Sequence, residues 1–174
     1  MNCSAVPAQW TIGLVGYGEV GRILAEDLRA RGVNNVLACD IKLGGQDEAP
    51  LRAHAAQHGV RLAASHVQLA AQSDLVISAV TASQAVPVAE ACAPALRSGG
   101  WFLDFNSASP GAKICAGEIV VAAGGRYVEG AVMTSISPYR IRVPLLLGGP
   151  QAAALVPLLN ALGFEGQAGP AQLG

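Results

Sequence analysis

Charge is scarce in this sequence. Asp, Glu, Lys and Arg make up 13% of 174 residues, against about 25% in an average soluble domain. The formal net charge is −1, so there is no basic field to draw in a nucleic-acid backbone. Long apolar runs are missing too. The most apolar region, 74–96, is broken by Ser78, Thr81, Ser83, Gln84, Pro87, Glu90 and Pro94, which excludes a membrane span. The first ten residues, Met1 to Trp10, lack a basic start and an apolar core, so no secretory signal is read there. The four cysteines (Cys3, Cys39, Cys92, Cys115) form no C-x-x-C pair and no metal-ligand spacing. Cys39, Cys92 and Cys115 sit in apolar contexts and read as small core residues. Reduced cysteines without a signal point to the cytoplasm.

What remains is an apolar chain, 52% hydrophobic, of the length of one domain, residues 1–174. So little charge implies that part of its surface is covered, by a second copy in a homodimer or by a further domain.

The chain is organised around Thr11 to Gly21. The apolar Ile12, Leu14 and Val15 lead into Gly16-Tyr17-Gly18-Glu19-Val20-Gly21, and Val20, Ile23, Leu24 and Leu28 continue at helical spacing. Strand, tight glycine turn and helix follow each other without a gap. In the G-x-G-x-x-G arrangement the first glycine allows the turn. The second lets a pyrophosphate approach the backbone, and the third brings helix and strand together. The anion would rest on free N–H groups at the helix N-terminus. A second apolar run, Asn35 to Cys39, ends in Asp40, 19 residues after Gly21. A carboxylate there can accept hydrogen bonds from an adenine-ribose diol. The competing reading is a nucleotide-free turn of flavodoxin-like type, with Asp40 a solvated strand end.

Further along, helices are expected over 50–58, 82–96, 110–123 and 151–162. Strands are expected over 61–64, 74–80, 101–105 and 127–133. The near-continuous apolar run at 74–80 fits a parallel sheet covered on both faces. Strands alternating with helices give a doubly wound, mostly parallel α/β sheet of Rossmann type. Residues 134–142 are too few for a crossover helix, so 143–147 is expected to add an antiparallel strand. A short strand at 164–167 follows.

Ligands in such sheets bind off the carboxyl ends of the strands. The candidates there are the glycine turn, Asp40, Val80-Thr81, Asn106-Ser107 and Met133-Thr134-Ser135. Asn106 and Ser107 read equally as ligand contacts or as caps of the helix beginning at Pro110. Ser109 reads as a cap. Arg140 and Arg142, in the 134–142 loop, read either as a grip on an acidic substrate or as surface arginines. His54 and His58 lie four apart on one helix, and both rings could face a metal. No Cys, Asp or Glu nearby in sequence completes a site, so they are expected to be exposed and no metal site is expected. His66 carries no signal.

On these residues the chain resembles the N-terminal domain of the β-hydroxyacid dehydrogenase family, which includes 3-hydroxyisobutyrate and 6-phosphogluconate dehydrogenases. The likeness runs along nearly the whole chain. Gly16 to Gly21 resembles the family's glycine loop. Asp104 to Pro110 resembles its D-x-S-T-x-S-P substrate motif, with Asn106 and Ser107 in place of Ser and Thr. Tyr127 to Ser135 falls where the family has D-A-P-V-S-G-G, with Thr134-Ser135 in place of a flexible Gly-Gly. Leu145 to Gly149 resembles its antiparallel strand.

The resemblance implies hydride transfer between a nicotinamide cofactor and a small hydroxy acid. Its cofactor contacts would be Gly16, Tyr17, Gly18, Glu19, Val20, Gly21, Asp40, Val80, Thr81 and Asn106. Its substrate contacts would be Asn106, Ser107, Thr134 and Ser135. The family's catalytic lysine lies on a long helix after this domain, and its helical domain is expected to be absent here. The two lysines present are Lys42 and Lys113, and Lys113 is expected on a helix surface. Asp104 and Glu129 are expected to point into the structure. Hydride transfer needs a group to move the hydroxyl proton, and the chain as read lacks one. Asp40 would repel a 2′-phosphate, so NAD is favoured over NADP. The alternatives are a non-catalytic dinucleotide-binding or sensor module and an imine-reductase-like domain.

Overall fold

The computed structural model describes residues 7–174; Cys3 and the start of the Met1–Trp10 segment lie outside them. The strands are β1 (Thr11–Val15), β2 (Asn35–Cys39), β3 (Arg61–Leu62), β4 (Leu75–Ser78), β5 (Trp101–Asp104), β6 (Arg126–Val132), β7 (Pro144–Gly148) and β8 (Glu165–Ala168). The helices are α1 (Glu19–Ala30), α2 (Glu48–His58), α3 (His66–Gln72), α4 (Ala85–Cys92), α5 (Pro110–Ala122), α6 (Ile136–Tyr139) and α7 (Ala152–Ala161). All eight strands form one sheet in the order β3-β2-β1-β4-β5-β6-β7-β8.

The first six strands are parallel, β7 lies antiparallel to β6, and β8 is parallel to β7. This is the Rossmann strand order with two strands added at one edge. The short 134–142 connection has room for little more than one helical turn, and the chain therefore folds straight back.

Strand alternation divides the core between the two faces of the sheet. Ile12, Leu14, Val36, Ala38, Leu75, Ile77 and Leu103 pack on one face beneath Leu24 and Leu28 of α1 and Leu155 and Leu159 of α7. Val15, Leu37, Val76 and Phe102 pack on the other with Leu69, Val88, Ala116 and Val120 from α3, α4 and α5. Burial on both faces explains why these strands read as unbroken apolar runs.

Several boundaries differ from expectation. The 82–96 segment is divided into a 3-10 turn at Ala82–Gln84, α4, and a second 3-10 turn at Ala93–Ala95. Pro87 fits in the first turn of α4, where its missing N–H is not needed, but Pro94 cannot continue the helix. The strand expected over 61–64 pairs only at Arg61 and Leu62. Ser109 caps α5, its Oγ accepting from the Ala112 amide at 3.3 Å. Cys39 and Cys92 are buried as expected, whereas Cys115 is exposed. Along α5 the buried positions are 113, 116, 117 and 120, and helical periodicity turns position 115 outward.

Candidate functional site

The strand order reverses between β1 and β4, and the glycine turn sits there. Gly16 has φ 92°, and a Cβ on it would stand 2.1 Å from the Ala79 carbonyl oxygen at the end of β4. Only glycine fits both demands. A Cβ on Gly21 would come 2.1 Å from the Gly16 carbonyl oxygen, so α1 rests directly against the turn. Gly18 is the opposite case, since a Cβ there would meet nothing within 4 Å. This open space faces the start of α1, whose leading amides have no carbonyl partner inside the helix. A phosphate fits such a cradle.

Asp40 closes the second side. Its Oδ2 accepts from the Tyr17 amide at 2.8 Å and its Oδ1 from the Lys42 amide at 2.9 Å. A carboxylate offers about four acceptor positions, so capacity remains on a side chain that lines the adjoining cleft. That cleft has a volume of 290 Å³ and is lined by Gly16, Gly18, Asp40, His66, Val80 and Thr81 among others.

A second cleft, of 520 Å³, shares Ala79, Val80 and Thr81 with the first. The two therefore form one path across the carboxyl ends of β1, β4 and β5. Val20, Asn106, Ser107 and Thr134 also line it. No residue lining this second cleft carries an acid or base that titrates near neutral pH.

Asn106 is fixed before any ligand arrives. Its Oδ1 accepts from the Val80 amide at 2.6 Å, and its Nδ2 donates to Ser78 Oγ at 3.0 Å. The exit of β5 is fastened from below by a buried ion pair. Lys113 Nζ lies 2.9 Å from Asp104 Oδ1 and donates also to the Asp104 carbonyl. Tyr127 donates its hydroxyl to Asp104 Oδ2 at 2.8 Å, and the Asn106 amide donates to Oδ1 at 3.0 Å. Burial, and next the charge of Asp104, hold the Tyr127 phenol far above its usual range.

The structure brings most of the expected site residues together. Gly16, Gly18 and Asp40 line the first cleft, Val80 and Thr81 line both, and Val20, Asn106, Ser107 and Thr134 line the second. Ser135 instead sits at the start of α6, and Glu19 accepts a hydrogen bond from Ser137 at 2.7 Å. Gly21 serves packing. Tyr17 contributes its main chain to the turn. Its ring is fully buried, and its hydroxyl lies 2.6 Å from His54 Nδ1. Burial pushes that phenol up to about 12.

Other expectations are corrected. Lys113 is buried rather than on a helix surface, because α5 turns it toward Asp104. Asp104 does point inward, but Glu129 is half-buried and lines a 240 Å³ cleft beside Ser107 and Lys113. Arg140 pairs with Glu26 and Asp27 on α1, and Arg142 pairs with Glu165 on β8; neither lines the two clefts. His66, which carried no signal, lines the first cleft. His54 and His58 are half-buried rather than exposed, and Glu26 joins them from 28 residues upstream of His54. Among the described residues no helix is long and apolar enough to cross a membrane.

Residues 11–105 match the family described as NADP oxidoreductase, coenzyme F420-dependent. No curated protein matches the chain. Among solved structures, a conserved hypothetical protein from Sinorhizobium meliloti 1021 is 33% identical with a TM-score of 0.89, over 94% of this chain and 55% of its own. The conserved protein MTH1747, whose structure is described as similar to 3-hydroxyacid dehydrogenases, is 26% identical with a TM-score of 0.76, over 91% of this chain and 57% of its own. Mycobacterium tuberculosis 3-hydroxyisobutyrate dehydrogenase, solved with L-serine, shares the fold at 20% identity and a TM-score of 0.80, over 94% of this chain and 55% of its own. Imine reductase from Myxococcus stipitatus shares it too, solved with NADP+ and, as a variant, with NAD+. The chain thus spans little more than half the length of these structures. It belongs to the NADP oxidoreductase, coenzyme F420-dependent family and carries an NAD(P)-binding domain that resembles those of 3-hydroxyacid dehydrogenases.

Proposed function

We infer that the chain is the cofactor-binding half of an NAD(P)-dependent oxidoreductase acting on a small acidic substrate that carries a hydroxyl group. The observation that carries this reading is the pair of clefts that meet at Ala79, Val80 and Thr81. One has an anion cradle at Gly18 and a carboxylate at Asp40. The other is uncharged and ends at Ser107 and Thr134. Bound nicotinamide dinucleotide would supply or accept the hydride.

The turn at Gly18 holds the pyrophosphate, and Asp40 accepts from the adenine ribose, which favours NAD over NADP. Asn106, fixed by Ser78 and Val80, frames the floor of the second cleft. Ser107 and Thr134, both exposed, supply hydroxyls to the substrate, and Ser135 follows Thr134 in sequence. The second cleft lacks a titratable lining group, so the proton of the substrate hydroxyl is moved by a group from a partner half, either a helical domain or a second copy in a homodimer. The same division of labour would serve reduction of a C=N bond, which is the second reading. The compartment we assign is the cytoplasm.

Fluorescence titration with NADH and NADPH tests the reading. The wild-type chain is expected to bind NADH more tightly. Asp40→Ala removes a charged acceptor, worth about 1.5–3 kcal/mol, and so weakens NADH binding roughly 10- to 100-fold and NADPH binding less. Equal losses would show that Asp40 does not read the ribose. Failure of the wild type to bind either dinucleotide would overturn the assignment.

A further inference from the structure

Glu26, His54 and His58 form a cluster that lines neither of the two clefts. Glu26 comes from α1, and the two histidines lie one turn apart on α2. His54 Nε2 is 2.7 Å from Glu26 Oε1, and His58 Nε2 is 4.0 Å from the same oxygen. One ligand atom from each residue lies within 4.8 Å of the other two. The imidazoles are tilted by 32° with centroids 4.4 Å apart, so both present an edge to the same carboxylate.

Tetrahedral zinc, with bonds of about 2.0–2.2 Å, sets its ligand atoms roughly 3.3 Å apart. The two distances to Glu26 Oε1, 2.7 Å and 4.0 Å, fall on either side of that value. Opening one contact by about 0.6 Å and closing the other by about 0.7 Å would reach it, and small side-chain rotations cover such changes.

The surroundings of the ligands carry the inference further. Tyr17 Oη lies 2.6 Å from His54 Nδ1. At 2.7 Å from the Glu26 carboxylate His54 Nε2 donates, and Nδ1 accepts from the Tyr17 hydroxyl; an ion would displace the Nε2 proton, and the ring would then direct an Nδ1 proton at the phenol oxygen. Ligating histidines are commonly oriented through the second ring nitrogen in this way. Arg140 Nη2 occupies the other oxygen of Glu26, Oε2, at 2.6 Å, and so Oε1 is kept turned toward the histidines. All three side chains keep some exposure, at 14%, 29% and 31% for His54, His58 and Glu26, which gives water access to a fourth position.

We propose that Glu26, His54 and His58 bind one divalent transition ion of the zinc class, with water as the fourth ligand, and that the ion clamps α1 to α2 beside the buried ring of Tyr17. Two imidazoles with one carboxylate favour zinc or cobalt over magnesium or calcium, which prefer all-oxygen sites. The site does not depend on the dinucleotide reading.

The test is titration of the untagged chain with Co²⁺, read by visible absorption, followed by Zn²⁺ competition and thermal melting. The expected result is one Co²⁺ per chain with tetrahedral d–d bands and no thiolate charge-transfer band, displaced by Zn²⁺. Zn²⁺ should raise Tm in the wild type and not in His58→Ala. His54→Gln and His58→Ala should abolish the bands. Tyr17→Phe, which removes only the hydroxyl, should weaken binding by about 10-fold or more. His58 touches Glu26 only at 4.0 Å, so His58→Ala folds and decides the matter if His54→Gln does not. A wild type without tetrahedral bands, binding unchanged in His58→Ala, or a thiolate band showing cysteine ligation would each overturn the proposal.

Discussion

Substitution of two glycines of the same turn by alanine separates folding from binding. A Cβ on Gly18 meets nothing within 4 Å, whereas one on Gly21 would be 2.1 Å from the Gly16 carbonyl oxygen. Gly18 has φ −81° and ψ −152°, extended backbone with negative φ, so Gly18→Ala brings no steric overlap. Reduced freedom of the unfolded chain favours the variant by about 0.4–1 kcal/mol. Gly18 is also the N-cap of α1, where alanine is poorer than glycine by a similar amount, about 1 kcal/mol. The two effects offset each other, and Tm should move by no more than about 4 °C. The added methyl group stands where the pyrophosphate would approach, so NADH binding should fall at least about tenfold, or 1.4 kcal/mol.

Gly21→Ala reverses the pattern. The overlap exceeds 1 Å and forces α1 away from the turn, as overpacking does, at about 1–3 kcal/mol. For a chain of this length that lowers Tm by roughly 2–12 °C. The assay is thermal melting of both variants with and without NADH, since a ligand that binds only the folded state raises Tm by mass action. Gly18→Ala binding NADH as the wild type does would refute a dinucleotide seated over this turn. Gly18→Ala melting as low as Gly21→Ala would refute the steric argument itself.

Lys113→Met should be costly. It strips a buried carboxylate of its partner, a loss of about 3–5 kcal/mol and roughly 6–20 °C in Tm, and adding Asp104→Asn should recover part of it. A loss below about 1 kcal/mol would mean the pair is solvated. The Tyr127 phenol is held far above its usual range, so the neutral form favours folding; that contribution is complete below pH 10 and is lost as pH rises beyond it. Tyr127→Phe should therefore lower stability at neutral pH yet flatten its decline above pH 10, as read by denaturant melts across that range. A decline as steep as in the wild type would show that another group causes it.

Much of the fold was legible in the sequence because burial on both faces writes continuous apolar strands, and because glycine at 16 and 21 answers to contacts at 2.1 Å. The antiparallel β7 followed from chain length alone, since nine residues leave no room for a crossover. The missed features all depend on partners distant in sequence. Lys113 lies on a helix with apolar residues scattered around its circumference, so nothing local shows which side faces Asp104. His54 and His58 looked solvated because Glu26 belongs to another helix. Arg140 looked close to the site, yet its partners on α1 lie more than a hundred residues upstream. His66 reaches the first cleft because α3 starts beside the tip of β2, a placement that only the sheet order reveals.

The Asp104–Lys113 pair has one further consequence, for strand alignment. In the native register Asp104 faces Glu129 across the β5–β6 ladder, and Trp101 faces Arg126. A slip of β5 by one residue would turn each of its side chains to the opposite face. Asp104 would then stand among Leu75, Ile77 and Val128, and Lys113 would remain buried without a counter-charge. Each uncompensated charge costs several kcal/mol, whereas the intact pair adds little to net stability. The pair therefore acts against the nearest misaligned sheet more than it strengthens the native one. With β5 held in place, Asn106 emerges at the one point where it meets both Ser78 and Val80.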